Sequence, residues 1–257
     1  MNKQVEIFPN IEELNDFAAE KFVEIAHEAI EKRGKFTVAL AGGSTPKSFY
    51  KLLSGEKFKD KIDWSRIFFF FGDERNVLPS DAESNFRMAN ENLFKPLKIK
   101  DENIFRWQTE LKDAEKIAAD YEEEIKIFFE LSEKQPAHAG CSDIEFDLIL
   151  LGIGADGHTA SLFPFTEALH ETEKIAVANY VEKLKTTRFT LTFPVINNAR
   201  NVIFLVAGAE KAETLREVLE GEFLPEKLPS QNVRPKDGNL FWLLDKNVAK
   251  LLSNNEI

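Results

Sequence analysis

Apolar residues in this chain fall into two patterns. Short, mainly apolar runs occupy residues 36–41, 64–71, 146–151, 201–207 and 240–244, with a shorter one at 5–8. Between them, apolar positions recur every three or four residues. A mainly apolar run bounded by glycine or charge marks a strand covered on both faces, and the longer recurrence marks one face of a helix. The clearest helix carries Ile11, Leu14, Ala18, Phe22, Ile25, Ala26 and Ala29, with Asn10 as its N-cap and Gly34 as its stop. Thr45 and Pro46 open the next as N-cap and first helical residue, running to Gly55. Ser84 caps a third, through Asn85, Met88 and Leu93, which ends before Pro96. A fourth covers residues 113–131, with Ile117, Ala118, Tyr121, Ile125 and Phe128 on one side. A fifth runs through Val218 and Leu219 to Gly221, and Asp245 caps a last one.

Weaker signals complete the pattern. Residues 104–107 and 175–178 read as short strands, and 188–193 alternates as a strand with Arg188 at its entrance. Residues 194–199 form a short helix or turn, and 230–233 an edge segment. Strands alternating with helices predict parallel β-α units joined by right-handed crossovers. The expected class is α/β, with a mostly parallel Rossmann-like sheet flanked by helices. No long linker or internal repeat divides the chain, so residues 1–257 are read as one main domain with room for a small appended subdomain.

Chemistry gathers where strands end. The 146–151 run stops at Gly152-Ile-Gly154-Ala-Asp156-Gly157-His158, a tight turn carrying an acid and a base, followed by the start of a short helix. The 36–41 run passes into Gly42, Gly43, Ser44 and Thr45, where a glycine loop before a helix leaves backbone N–H groups free for an anion. The spacing is not that of a P-loop. The 64–71 run, with four consecutive phenylalanines, ends in Gly72-Asp73-Glu74-Arg75, read as a charged loop. The 201–207 run ends in Gly208-Ala-Glu-Lys211, which puts Lys211 in a first helical turn, where the dipole does not favour a cation. Parallel strands carry all four ends to one edge of the sheet, the edge at which open α/β sheets bind ligands. Arg188 joins from a strand start nearby.

Composition narrows the ligand. Formal net charge is −11, which argues against a nucleic-acid or anionic-membrane surface but leaves room for a small anion held by local cations. Cys141 is the only cysteine, so no intrachain disulfide or multi-cysteine metal site exists, and a reducing compartment fits. The first residues lack a signal-peptide core, and no stretch reaches the roughly 18–20 apolar residues that span a bilayer. The cytoplasm is the expected location. The four histidines are scattered without metal-ligand spacing. His27 is read as structural and His170 as exposed, while His138 and Cys141 lie in a surface loop and receive no role.

The segments Ala41-Gly-Gly-Ser-Thr-Pro46, Gly72-Asp-Glu-Arg75, Ser84-Asn85, the turn from Gly152 through Ser161-Leu-Phe-Pro164, and Arg188-Phe-Thr-Leu-Thr resemble the 6-phosphogluconolactonase family in order and spacing. The Gly-x-Asp-Gly-His element is shared with the related glucosamine-6-phosphate deaminases. Gly-Asp-Glu-Arg and Ser-Leu-Phe-Pro favour the lactonase branch, and the additional acid that deaminases carry after the histidine has no counterpart. Val77-Leu78-Pro79 departs from the family, which more often has proline directly after the valine. The resemblance implies a NagB/RpiA-like fold, no cofactor, and hydrolysis of 6-phosphoglucono-δ-lactone to 6-phosphogluconate in the oxidative pentose phosphate pathway. A small-molecule sugar-phosphate lactone is then the partner, and the protein a monomer or small homo-oligomer.

On that implication His158 is the general base, Asp156 orients the turn or a substrate hydroxyl, and Asp73 binds sugar hydroxyls or assists the proton path. Arg75, Arg188 and Lys211 hold phosphate or the developing oxyanion, with Gly42, Gly43, Ser44 and Thr45 donating N–H groups. Three rivals stand beside it. Gly152-x-Gly154-x-x-Gly157 fits a dinucleotide fingerprint, which is weak alone. An amino-sugar-phosphate deaminase is the nearest enzymatic alternative. A non-catalytic sugar-phosphate sensor is the other.

Overall fold

The computed structural model describes residues 2–133 and 144–253, so His138 and Cys141 fall outside the described residues. Nine strands are present among them: β1 (Asn2–Phe8), β2 (Phe36–Leu40), β3 (Ile67–Phe71), β4 (Asp73–Arg75), β5 (Leu148–Leu151), β6 (Ala176–Val181), β7 (Thr186–Leu191), β8 (Asn201–Val206) and β9 (Asn239–Asp245). Six form one sheet in the order β1-β9-β8-β5-β2-β3, and every pairing in it is parallel. The chain builds outward from β2 to β3 on one side and from β5 through β8 to β9 on the other. Between β2 and β5 their following connections therefore diverge, which opens a crevice at the carboxyl ends of the strands.

The phenylalanine run shows why these strands are buried on both faces. Registered residues of neighbouring strands share a face, so Phe36, Val38 and Leu40 side with Ile67, Phe69 and Phe71. Helix α1 (Ile11–Arg33) covers that face, with Phe22 edge-on to Phe36 at 5.1 Å. Phe94 meets Phe69 there at 5.0 Å. Phe68 and Phe70 point the other way, against Phe128 of helix Ala114–Glu133. The ends of α1 follow the sequence signals: Asn10 accepts from the Glu13 N–H, and Gly34 closes the helix in a left-handed conformation. His27 lies on α1 and bonds the Lys61 carbonyl at 2.7 Å, a structural tie.

A second sheet of three antiparallel strands, β4-β7-β6, stands beside the first. Gly72 joins the two. Its N–H donates to Leu40 O of β2 at 2.9 Å, and its carbonyl accepts from Leu191 N of β7 at 2.8 Å. The three charged residues after β3 are thus a strand, not a loop. The pairing partner that makes them one lies more than a hundred residues along the chain.

Other local expectations are corrected. Helix α2 (Ser44–Leu53) begins one residue before Thr45 and takes Gly43 as N-cap, with the Lys47 N–H reaching Gly43 O. Thr45 is buried inside the first turn rather than capping it. The helix begun at Ser84 runs through Pro96, by way of a π-turn at Asn90–Phe94. Pro96 has no N–H to offer the Asn92 carbonyl, and the Ser54 hydroxyl donates to it instead. The first three residues of the 64–71 run form a 3-10 turn, Trp64–Arg66, before β3. Residues 104–107 make a single bridge to Phe69 and no strand. The 230–233 segment is a 3-10 turn, Pro229–Asn232. Turns, not a helix, follow His158. No helix among the described residues is long and apolar enough to cross a membrane.

Candidate active site

A cavity of about 640 Å³ opens at the carboxyl edge of the parallel sheet, over the crevice between β2 and β5. All ten residues singled out from the sequence line it: Gly42, Gly43, Ser44, Thr45, Asp73, Arg75, Asp156, His158, Arg188 and Lys211. Lys183 and Ser161 line it as well.

The loop after β2 needs both of its glycines. Gly43 has φ +106°, a backbone that side chains resist. A Cβ on Gly42 would stand 1.9 Å from Asn85 Oδ1. The close approach brings the N-terminus of α2 to the cavity, where the first helical N–H groups lack intrahelical acceptors.

Strand alternation sorts the charges of β4. Asp73 and Arg75 share one face and line the cavity, while Glu74 points away from it. The buried Glu74 carboxylate accepts the N–H groups of Arg75, Asn85 and Phe86, each at 2.8 Å, and the Ser84 hydroxyl at 3.1 Å. It thereby ties β4 to the start of the Ser84 helix. Asp73 accepts from the Ser161 hydroxyl at 2.7 Å through Oδ2 and from Asn85 Nδ2 at 3.1 Å through Oδ1. Its carboxylate is anchored from two elements. Arg75 donates to the Glu83 carbonyl at 2.5 Å. It is the registered partner of Arg188 on β7.

The turn after β5 folds around His158. Gly154 N donates to His158 O, and Gly157 N to Gly154 O. Gly157 has φ +80° and packs against Leu228, and its carbonyl accepts from both Ser230 N and Ser230 Oγ. The imidazole lies directly over Gly154, where a Cβ would stand 2.1 Å from the ring. Its other contacts are Phe163, stacked at 4.0 Å, and Asp156, whose Oδ1 is 2.5 Å from Nδ1. A carboxylate at that distance holds the proton on Nδ1 and leaves the Nε2 lone pair free. Nε2 has no hydrogen-bond partner among the described residues. The second Asp156 oxygen is ion-paired to Lys183.

Electrostatics favour the neutral ring. Burial is the largest influence on His158 and, although Asp73 pulls the other way, the ring falls to a pKa of about 4 with help from Arg188, Lys211 and Arg75. Asp156, which meets the ring at Nδ1, is itself paired with Lys183. Arg188 is lowered in turn, by burial first and by Arg75 second. Among the described residues neither Arg188 nor Lys211 has an ion pair within 4 Å or a side-chain hydrogen bond. Lys211 ends a 3-10 turn, Ala209–Lys211, just before helix Ala212–Glu220, close to its expected place. No group of three or more metal-ligating side chains converges among the described residues.

Sequence reasoning passed over Lys183, Ser161, Asn85 and Glu74. Ser84-Asn85 and Ser161 stood inside recognised motifs without roles. Lys183 carried no signal, since a lysine between two strands reads as a solvated turn.

The site can hold an anion on three cations and a helix N-terminus, and it presents an unprotonated imidazole nitrogen beside them. Residues 9–242 match the family model described as glucosamine-6-phosphate isomerases/6-phosphogluconolactonase. The chain is 41% identical to 6-phosphogluconolactonase of Synechocystis sp. over 226 residues, 88% of each chain. It superposes on 6-phosphogluconolactonase from Trypanosoma cruzi with a TM-score of 0.82 and 30% identity, covering 99% of both. A monomeric glucosamine-6-phosphate deaminase of the NagB superfamily shares the fold, with a TM-score of 0.76 at 21% identity, covering 96% of this chain and 99% of that one.

Proposed function

The chain belongs to the glucosamine-6-phosphate isomerase/6-phosphogluconolactonase family, and from that premise we propose that it hydrolyses 6-phosphoglucono-δ-lactone to 6-phosphogluconate, the lactone step of the oxidative pentose phosphate pathway. One observation carries the reading: the His158–Asp156 pair and the opposed Arg75 and Arg188 face the same cavity. A base with an open nitrogen, and three cations without an ion pair among the described residues, suit an acyl carbon on a phosphorylated molecule.

Nε2 of His158 takes a proton from water as the water oxygen attacks the lactone carbonyl. The C=O electron pair moves onto the carbonyl oxygen, and the resulting oxyanion is stabilised by the neighbouring cations and α2 N–H groups. Collapse of the tetrahedral species breaks the bond to the ring oxygen. The imidazolium returns its proton to that oxygen, which becomes the product hydroxyl. The Nδ1–H donates to Asp156 throughout, which stabilises the transient imidazolium. Arg75, Arg188 and Lys211 share the phosphate and the oxyanion. Asp73, anchored by Ser161 and Asn85, accepts hydrogen bonds from sugar hydroxyls. A lactone is already an activated acyl group, so neither a covalent nucleophile nor a cofactor is required.

The stretch after the histidine also separates this reading from a deaminase. Ser161-Leu-Phe-Pro164 carries no acid where deaminases have one, and Phe163 stacks on the His158 ring instead. The same reading takes residues 1–257 as one catalytic domain. It works in the cytoplasm as a monomer or small homo-oligomer and engages neither nucleic acid nor membrane.

The test is a lactonase assay on freshly generated 6-phosphoglucono-δ-lactone, with spontaneous hydrolysis subtracted. Acceleration proportional to protein concentration is expected. No acceleration, or release of ammonia from glucosamine 6-phosphate instead, overturns the proposal.

A further inference from the structure

Among the described residues, Lys183 is the one cation at the cavity that pairs with a side chain of the catalytic turn. It sits in the 3-10 turn Glu182–Leu184 between β6 and β7, which Lys185 closes with φ +50°. Its side chain is half exposed, and it makes two contacts. The ammonium pairs with Oδ2 of Asp156, and it lies 5.1 Å from the centre of the Phe163 ring. Asp156 and Phe163 are also the two side chains that hold His158, one at Nδ1 and one on the ring face. A single residue from the second sheet therefore touches both supports of the imidazole.

We propose that Lys183 is a positioning residue for His158. By clamping the outer oxygen of Asp156 it fixes the inner oxygen on Nδ1, and so keeps the Nδ1–H tautomer with Nε2 turned to the cavity. The role of His158 as base rests on the function proposed above; the clamp itself does not. A carboxylate with both oxygens engaged cannot rotate away from the ring, and its charge is shared between lysine and imidazole. Without Lys183 the full charge of Asp156 falls on His158 and favours imidazolium. The other charged groups facing the ring are Asp73 and Arg75 from β4, Arg188 from β7 and Lys211 from the turn after β8. Each is left in place by a substitution at 183.

The experiment compares wild type, Lys183→Met and Lys183→Arg. Nitrogen-15 imidazole NMR of the ligand-free protein reads tautomer and titration, with His158 assigned from His158→Gln. In Lys183→Met the midpoint should rise by about one pH unit and the Nδ1–H tautomer should lose population; Lys183→Arg should restore both. In turnover, Lys183→Met should lower kcat several-fold with KM little changed and move the acid limb upward. A His158 titration and tautomer identical to wild type in Lys183→Met overturns the clamp. Because the NMR needs no substrate, an altered titration in a protein without lactonase activity would support the clamp while removing the lactonase reading.

Discussion

Arg75 and Arg188 are registered partners across the β4–β7 ladder. Like charges directly opposite one another destabilise an antiparallel pair, and here burial and the Arg75 charge both lower the pKa of Arg188. Asp73, Glu83 and Glu74 offset part of that repulsion, and a bound anion would offset more. Arg188→Met should therefore raise KM for the phosphorylated lactone by roughly ten- to a hundredfold, the worth of one charge-assisted hydrogen bond at about 1.5–3 kcal/mol. Turnover of unphosphorylated gluconolactone should change far less. Equal loss on both substrates would remove the phosphate assignment. Inorganic phosphate should also raise the melting temperature of wild type more than that of the variant.

His158→Gln removes the proposed base and keeps a side chain of similar length. Turnover should fall by about 10²–10⁴-fold, while 6-phosphogluconate binding measured by calorimetry persists. Near-normal turnover would sink the assignment.

The pH profile carries a sign. The working form of His158 is neutral, and its pKa is lowered to about 4, chiefly by burial. Protonation below that value abolishes activity, so the acid limb belonging to His158 should lie well below the ordinary histidine value of about 6.5. Stability follows the same group. The unfolded ring protonates as pH falls below about 6.5 while the folded ring does not, so His158 lowers stability progressively from there down to its folded pKa. Bound phosphate offsets Arg75, Arg188 and Lys211, three of the influences that depress the ring. Adding 6-phosphogluconate should therefore raise the His158 midpoint in an NMR titration, and a midpoint unmoved by ligand would contradict shared cations.

Gly154 has no steric freedom beneath the imidazole. Gly154→Ala would place a methyl 2.1 Å from the ring, so the ring must shift from Asp156 or the turn must open. Turnover should drop by at least tenfold, the scale expected when a general base is misplaced. Circular dichroism should still report a folded protein, because the displaced group is a side chain at a cavity edge. Retained full activity would mean that the ring is not held where the geometry puts it.

The parallel sheet and most of the site were readable from the chain because their signals are local. An apolar run reports its own burial, and a glycine cluster at its end reports a turn that side chains would obstruct. Parallelism then carries Gly42, Gly72, Gly152 and Gly208 to one edge, whatever the details of packing. What misled was equally local. Pro96 looks like a stop unless one knows that the Ser54 hydroxyl takes over the Asn92 carbonyl. Thr45 looks like a cap unless Gly43 is seen in a conformation that already supplies one.

By itself the sequence determined the strand–helix alternation, the glycine turns and the identity of ten cavity residues, all properties of short stretches. Only the tertiary structure decided that Asp73–Arg75 is a strand, that Arg75 meets Arg188, and that Lys183 and Ser161 belong to the cavity. Each of those facts needs a partner tens of residues or more away. Such a partner is chosen by the packing of two sheets around Gly72, and no local pattern encodes it.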